Sequence, residues 1–234
     1  MARTETIDAD RVHGLLVHAD RPRAGILVLP TITGVDQPMR TLAQQLAEAG
    51  FTALVWNPFP GDAGTPAEFP ALMARANRLS DDGAVADMSA CVDYMVATLN
   101  LGAVAVLGFC LGGRYSLLLC AEDKRPAACV AFYPSVRVPM KPNETHDAVA
   151  LAAQIECPVH LVQAGADEVI LFPTFVRLRE VLEQRRAATM TQVHPGAVHS
   201  FRRADLHSNP VNAAATRLSW PPAMAFLQDC LKIS

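Results

Sequence analysis

The sequence has no run of lysine or arginine, and its 20 basic residues stand against 23 acidic ones for a formal net charge of -3. Nucleic-acid and membrane-surface partners need a basic footprint, so neither is expected, and a small molecule is the expected partner. No apolar stretch approaches the roughly 20 residues of a membrane-spanning helix. The N-terminal "MARTETIDADRVHG" also lacks the apolar segment of a secretory signal. The expectation is a cytoplasmic protein, a monomer or small homo-oligomer. CxxC spacing is missing among the six cysteines at 91, 110, 120, 129, 157 and 230, which argues against a disulfide framework. Neither a linker nor an internal repeat interrupts the 234 residues, of which 51% are hydrophobic and 18% charged. One domain over 1–234 with a large core is therefore expected.

What is present is a repeated alternation. Short apolar runs at 25–30, 52–56, 103–108, 128–133, 159–165 and 189–194 read as strands covered on both faces. Between them, segments such as "QPMRTLAQQLAEAG" set Met39, Leu42, Ala43, Leu46 and Ala49 on one helical face and stop at Gly50. Segments 82–99, 111–122, 173–187 and 211–231 read likewise as helices. This order predicts an α/β fold with a mostly parallel, doubly wound sheet flanked by helices. The loops at 57–70 and 135–147 each follow a strand, where such a sheet opens its ligand crevice.

One cysteine stands apart. In "AVAVLGFCLGGRYSLLLCAE" a strand runs directly into a helix, with Gly-x-Cys-x-Gly-Gly at the junction. This is the setting of a nucleophile elbow, with Cys110 in place of serine. Gly108 and Gly112 leave room for a crowded turn, and the first N–H groups of the following helix favour a thiolate. The alternative is that Cys110 packs as a small apolar residue like the other five.

Two further groups follow in the chain order that an elbow hydrolase requires. "VHLVQAGADEVI" ends a strand in a turn bearing Asp167, with Glu168 as its neighbour and rival. "TQVHPGAVHSF" ends a strand in a loop bearing His199, with His194 as the rival that closes the strand before Pro195. Cys110, Asp167 and His199 are thus the expected nucleophile, orienting acid and base. A metal site is not expected, because no HxxxH pair falls on a helix.

At these residues the chain resembles the dienelactone hydrolase (carboxymethylenebutenolidase) family of the α/β-hydrolase fold. The segments carrying the resemblance are "LVLPTITGVD", "GFCLGGR", "AGADEVI" and "HPGAVHSFRR". It implies ring opening of an enol lactone by a cysteine nucleophile through an acyl-enzyme, with no cofactor. It further implies an oxyanion hole from the main-chain N–H groups of Ile32 and Leu111, and a substrate carboxylate held by Arg203. There are two departures. The family's glutamate, which the resemblance links to the protonation state of the resting thiol, is replaced by Thr31 in "PTITG", leaving His199 as the evident base. The family's aromatic residue is replaced by Thr33. Thr31 is accordingly expected to face the substrate.

Arg75 and Arg78 lie too loosely spaced from any motif to be assigned, and Arg114 and Tyr115 read as surface and packing residues behind the elbow. Lactones and activated esters are the expected substrates, since a thiolate is both a good nucleophile and a good leaving group. A general carboxylesterase of the same fold, or a thiol sensor without turnover, are the alternatives.

Overall fold

All six apolar runs become strands of one sheet, within a residue or two of the expected limits. A computed structural model describes residues 2–232 apart from Arg21, Arg23 and Ala63. Its eight strands are β1 (Thr4–Ala9), β2 (Val12–Val17), β3 (Ala24–Leu29), β4 (Phe51–Trp56), β5 (Val104–Phe109), β6 (Ala128–Phe132), β7 (Val159–Ala164) and β8 (Thr189–His194). They lie in the order β1-β2-β4-β3-β5-β6-β7-β8. From β4 to β8 every pairing is parallel, whereas β1 and β2 join antiparallel at one edge.

The helices are α1 (Gln37–Glu48), α2 (Phe69–Ala76), α3 (Asp81–Asp93), α4 (Leu111–Glu122), α5 (Ala148–Leu151), α6 (Phe172–Glu183) and α7 (Pro210–Cys230). Successive side chains of a strand alternate between faces, and the core divides accordingly. Leu27 and Leu29 of β3 pack with Met88 of α3, Leu118 of α4 and Leu178 of α6. Ile26 and Val28 pack on the opposite side with Leu42 and Leu46 of α1 and Leu227 of α7. Both faces being covered, every residue of β3, β4, β5, β6 and β7 is buried, which is why these segments are continuous apolar runs.

Local signals set the helix limits. Asp36 caps α1 by accepting from the Met39 N–H at 3.0 Å, and Gly50 leaves the helix at φ 93°. Ser80 caps α3 through the Gly83 N–H at 3.2 Å. α7 runs through Pro221 and Pro222, which lack the N–H that each would send back one turn. The carbonyl released at Leu218 is taken instead by Gln192 Nε2 at 3.2 Å.

The two β1–β2 strands and the short α2 and α5 have no counterpart in the sequence expectations. β1 is largely exposed, with the pattern TETIDA, so it has no apolar run to announce it. α2 starts at the end of the Pro/Gly-rich stretch, with Pro70 in its first turn.

Register then brings the candidate residues together. Leu29 pairs with Gly108 and Phe109 with Phe132, so the segments after β3, β5 and β6 emerge side by side. Ala164 pairs with His194, which sets the loops carrying Asp167 and His199 next to each other at the same end of the sheet.

Candidate active site

Cys110 sits at the N-cap of α4 with φ 53° and ψ -111°. A left-handed conformation in a non-glycine residue costs on the order of 1–3 kcal/mol and persists only where the surroundings enforce it. Here the enforcement comes from backbone hydrogen bonds and close packing. The Cys110 N–H donates to the Phe132 carbonyl at 3.1 Å, its carbonyl accepts from Ser135 N at 2.9 Å, and Gly112 N donates to the Pro30 carbonyl at 2.9 Å. A Cβ on Gly108 would lie 2.1 Å from the Gly112 carbonyl oxygen, and one on Gly112 would lie 2.0 Å from that of Leu29. The elbow therefore requires glycine at these positions because β3, β5 and α4 meet there. Two more non-glycine residues with positive φ, Tyr133 at 35° and Ser200 at 59°, flank the same site.

The turn leaves the sulfur half-buried beside His199. Nε2 of His199 is 2.9 Å from the Cys110 sulfur, and Nδ1 lies 2.8 and 3.0 Å from the two oxygens of Asp167. An ionised carboxylate only accepts, so Nδ1 carries the proton and Nε2 is left to face the sulfur. Asp167 is fixed in turn, since its Oδ1 accepts from Val169 N at 2.8 Å and Ile170 N at 3.1 Å, and its side chain is almost fully buried. Burial by itself would lower the His199 pKa. The hydrogen bonds to Asp167 and Cys110 and the charges of both outweigh it, raising the imidazole to about 9. Tyr133 stands edge-on to the imidazole at 5.4 Å between ring centres, its buried phenol held neutral by burial.

Of the rivals, Glu168 is exposed, and His194 is buried against Phe201 with its imidazole kept neutral by burial. Neither is hydrogen-bonded to the Cys110–His199–Asp167 set.

The candidate oxyanion donors occupy the places expected of them. Leu111 is the first residue of α4, and Ile32 lies just beyond β3. Neither main-chain N–H has an acceptor among the described residues. The segment bearing Ile32 is held from several sides. Thr31 Oγ1 shares a 2.8 Å hydrogen bond with Thr33 Oγ1, which donates to Asp36 Oδ2 at 2.6 Å. The buried Arg75 guanidinium lies 3.9 Å over the Phe59 ring and donates to the Ile32 carbonyl at 2.9 Å and the Gly64 carbonyl at 3.2 Å. Arg75, left unassigned from sequence, thus holds the segment through main-chain contacts 43 residues away in sequence, and Arg78 pairs with Asp62 at the surface.

Two arginines adjoin His199 and have different surroundings. Arg203 is 63% exposed and forms a surface ion pair with Asp205 at 2.6 Å, and makes no hydrogen bond to the Cys110–His199–Asp167 set. Its neighbour Arg202 is half-buried, with its guanidinium 4.4 Å over the Trp220 ring and 5.3 Å from that of Phe132. Behind the elbow, Arg114 and Tyr115 are both 2% exposed. The surface reading of Arg114 is therefore corrected: it forms a bidentate pair with buried Asp81 at 2.7 and 2.8 Å. Sequence reasoning missed Asp81 because its partner is 33 residues away. Among the described residues, no three His, Cys, Asp or Glu side chains are grouped to hold a metal ion, and no helix is long and apolar enough to cross a membrane.

The sequence profile of the dienelactone hydrolase family matches residues 12–231. The chain belongs to that family. As a dienelactone hydrolase family member it is a hydrolase, and it is 30% identical over 215 residues to a carboxymethylenebutenolidase of Rhodococcus opacus, covering 89% of this chain and 82% of the relative. Its backbone is similar to a dienelactone hydrolase-like promiscuous phosphotriesterase from metagenomic libraries, with TM-score 0.80, 22% identity and 98% coverage of each chain. It is also similar to an α/β hydrolase of Penicillium sp. sh18, with TM-score 0.73, 16% identity and full coverage of both. The family's α/β-hydrolase fold accounts for the parallel sheet and for the place of the elbow in it.

Proposed function

We propose that this hydrolase opens lactones or cleaves activated carboxylic esters by nucleophilic attack of Cys110, with His199 as general base and acid and Asp167 orienting the imidazole. The observation that carries the reading is the contiguous hydrogen-bonded line from sulfur through imidazole to a buried, doubly anchored carboxylate.

Substrate binds with its carbonyl oxygen toward the N–H groups of Ile32 and Leu111. His199 Nε2 takes the thiol proton before attack, its raised pKa favouring the imidazolium, and the sulfur then bonds to the carbonyl carbon while the displaced electron pair settles on the oxygen. Two fixed donors aimed at that charge contribute to the transition state, on the order of 10²–10³ in rate for one donor. Asp167 stabilises the imidazolium formed in this step. The intermediate collapses, the carbon–oxygen bond breaks, and Nε2–H protonates the departing alkoxide or enolate. In a lactone that oxygen remains tethered to the acyl group, so one ring yields one open-chain thioester. Water then repeats the sequence: His199 removes its proton, the tetrahedral adduct forms at the same donors, and the sulfur leaves. Enol and aryl esters suit this route, because a thiolate competes poorly with a strongly basic leaving group such as an amide nitrogen.

The test is a panel of lactones and activated esters against the wild type and Cys110→Ala, with intact-mass measurement of the wild type during turnover of a slow ester. Added acyl mass on the Cys110 peptide and loss of turnover in the variant support the reading. Retention of most activity in Cys110→Ala overturns it.

A further inference from the structure

The two candidate oxyanion donors are built differently. The Leu111 N–H shares a planar peptide with the Cys110 carbonyl, and in a trans peptide the two point in opposite directions. That carbonyl accepts from Arg114 N at 3.1 Å and Ser135 N at 2.9 Å, so main-chain bonds within α4 and from the loop after β6 aim this donor. The Ile32 N–H stands on a turn instead. The Thr31 carbonyl accepts from Gly34 N at 3.1 Å, which makes Thr31–Gly34 a β-turn with Ile32 and Thr33 at its centre.

The weak point of such a turn is its central peptide, whose rotation converts one turn type into another. Here both polar atoms of that peptide are held by side chains. Its carbonyl, that of Ile32, accepts from Arg75 Nη2 at 2.9 Å, and its N–H, that of Thr33, donates to Thr31 Oγ1 at 3.3 Å. The Thr31 contact is long and neutral, whereas the Arg75 contact is short and charge-assisted, and so the stronger. Arg75 Nη1 also donates to the Gly64 carbonyl at 3.2 Å, and Thr65 Oγ1 donates to that of Thr33 at 2.9 Å. The loop between β4 and α2 is thereby fastened across the turn.

Arg75 is a costly residue for this task. Its side chain is 5% exposed, its ion pair with Asp62 spans 3.9 Å, and its Nε has no acceptor among the described residues. Withdrawing a guanidinium from water without a close counter-ion is unfavourable, and a neutral amide could link two loops at lower cost. The cation is bonded instead to the peptide next to the donor that faces the developing negative charge. There it fixes a turn that, unlike the start of α4, has no helix to hold it.

We propose that Arg75 is a positioning residue for hydrolysis: its guanidinium locks the Thr31–Gly34 turn so that the Ile32 N–H is aimed at the substrate's carbonyl oxygen as that oxygen gains charge. The proposal rests on the reading of Cys110 as the nucleophile and of Ile32 as an oxyanion donor. Arg75 acts through the turn and leaves the sulfur and imidazole as they are.

The experiment separates two reactions of Cys110. Alkylation by iodoacetamide builds no oxyanion. Phenyl trifluoromethyl ketone does: the sulfur bonds to the carbonyl carbon, the thiol proton stays on His199, and the displaced electron pair becomes the alkoxide of a thiohemiketal. Arg75→Met keeps an apolar stem over Phe59. In it the ketone's inhibition constant should rise about tenfold and kcat for p-nitrophenyl acetate fall about 10- to 100-fold with KM nearly unchanged, less than for a donor lost outright. The alkylation rate should stay in place. Fluorine NMR of the adduct against pH should show the alkoxide pKa raised by about one unit, the equivalent of that tenfold. Arg75→Lys keeps the charge with fewer contacts and should recover part of the loss. Arg78→Gln removes the neighbouring surface cation, controls for the field, and should leave every readout in place. A ketone constant and kcat indifferent to Arg75, a loss that alkylation shares in proportion, or an equal effect in Arg78→Gln overturns the positioning role. Where Arg75→Met does not fold, the same readouts on Arg75→Lys decide, a smaller loss supporting the role and wild-type values overturning it. A wild type that forms no ketone adduct on Cys110 overturns the nucleophile reading and this one with it. An adduct on Cys110 whose stability ignores Arg75 overturns this one alone.

Discussion

Two regions of this molecule hold cysteines in opposite conditions. Cys91 and Cys120 lie on helices α3 and α4 among apolar side chains. Burial and the Asp87 charge push the Cys91 thiol up to about 12, and hydrogen bonds with Cys129 and Cys157 together with burial push Cys120 up as well. Both are small apolar residues in effect. Cys110 lies one residue before the same helix α4, yet its backbone is left-handed, its sulfur is half-buried and an imidazole stands 2.9 Å away. Residue type is the same in both regions. What differs is whether the chain turns so that the side chain leaves the core, and whether a basic group from a distant loop meets it.

The largest expected effect breaks that contrast at its centre. Cys110→Ala should lower kcat/KM by at least about 10³-fold with the fold intact, whereas Cys91→Ala and Cys120→Ala should retain turnover. Steady-state kinetics beside thermal unfolding separates the two outcomes.

Next in size is Asp167→Asn. The amide can donate as well as accept, so the tautomer of His199 is no longer fixed, and a loss of roughly 10²–10³-fold in kcat is expected. Alkylation rates of Cys110 measured against pH in the same variant should show the changed imidazole.

The third effect is on stability. The His199 pKa rises from 6.5 to about 9 on folding, so the folded state binds the proton more tightly. Its contribution is fully present below pH 6.5 and is lost as pH rises through 9, on the order of 3 kcal/mol in all. Urea unfolding at pH 6.5 and 9 should show this difference in the wild type and a smaller one in His199→Gln. Equal pH dependence in both would remove His199 as its source.

The smallest effect sharpens the other side of the comparison. Cys91→Ser places a hydroxyl in a fully buried apolar site and should cost about 1–3 kcal/mol with kcat unchanged. Native-state labelling should reach Cys110 well before Cys91 or Cys120.

Much of this was legible because it is local. Strands covered on both faces must be apolar throughout, so "GILVLP" and "AVAVLG" announce themselves, and Gly108, Gly112 and Gly113 mark a crowded junction without any partner in view. The order Cys110, Asp167, His199 was also legible, since each follows a strand. Contacts made across the sheet were not. Arg75 reaches the Ile32 carbonyl across 43 residues and Arg114 reaches Asp81 across 33, and nothing in either neighbourhood encodes the partner. The β1 strand was lost for a different reason: its side chains are mostly exposed, and without a buried face there is no periodicity to read. Arg203 is the reverse case, because Asp205, two residues on, was in plain view as its partner.

Sheet order has a consequence for the chain as it is made. Cys110 precedes its histidine by 89 residues, and β8, which leads into the His199 loop, is an edge strand that pairs, among the described residues, only with β7. Domains consolidate as they leave the ribosome, N-terminal parts first. Over the 89 residues between the two, the growing polypeptide therefore carries the Cys110 thiol without the imidazole that faces it in the finished molecule. The hydrogen-bonded line from sulfur to carboxylate is completed only when the last strand docks, so an unfinished or truncated chain does not contain it.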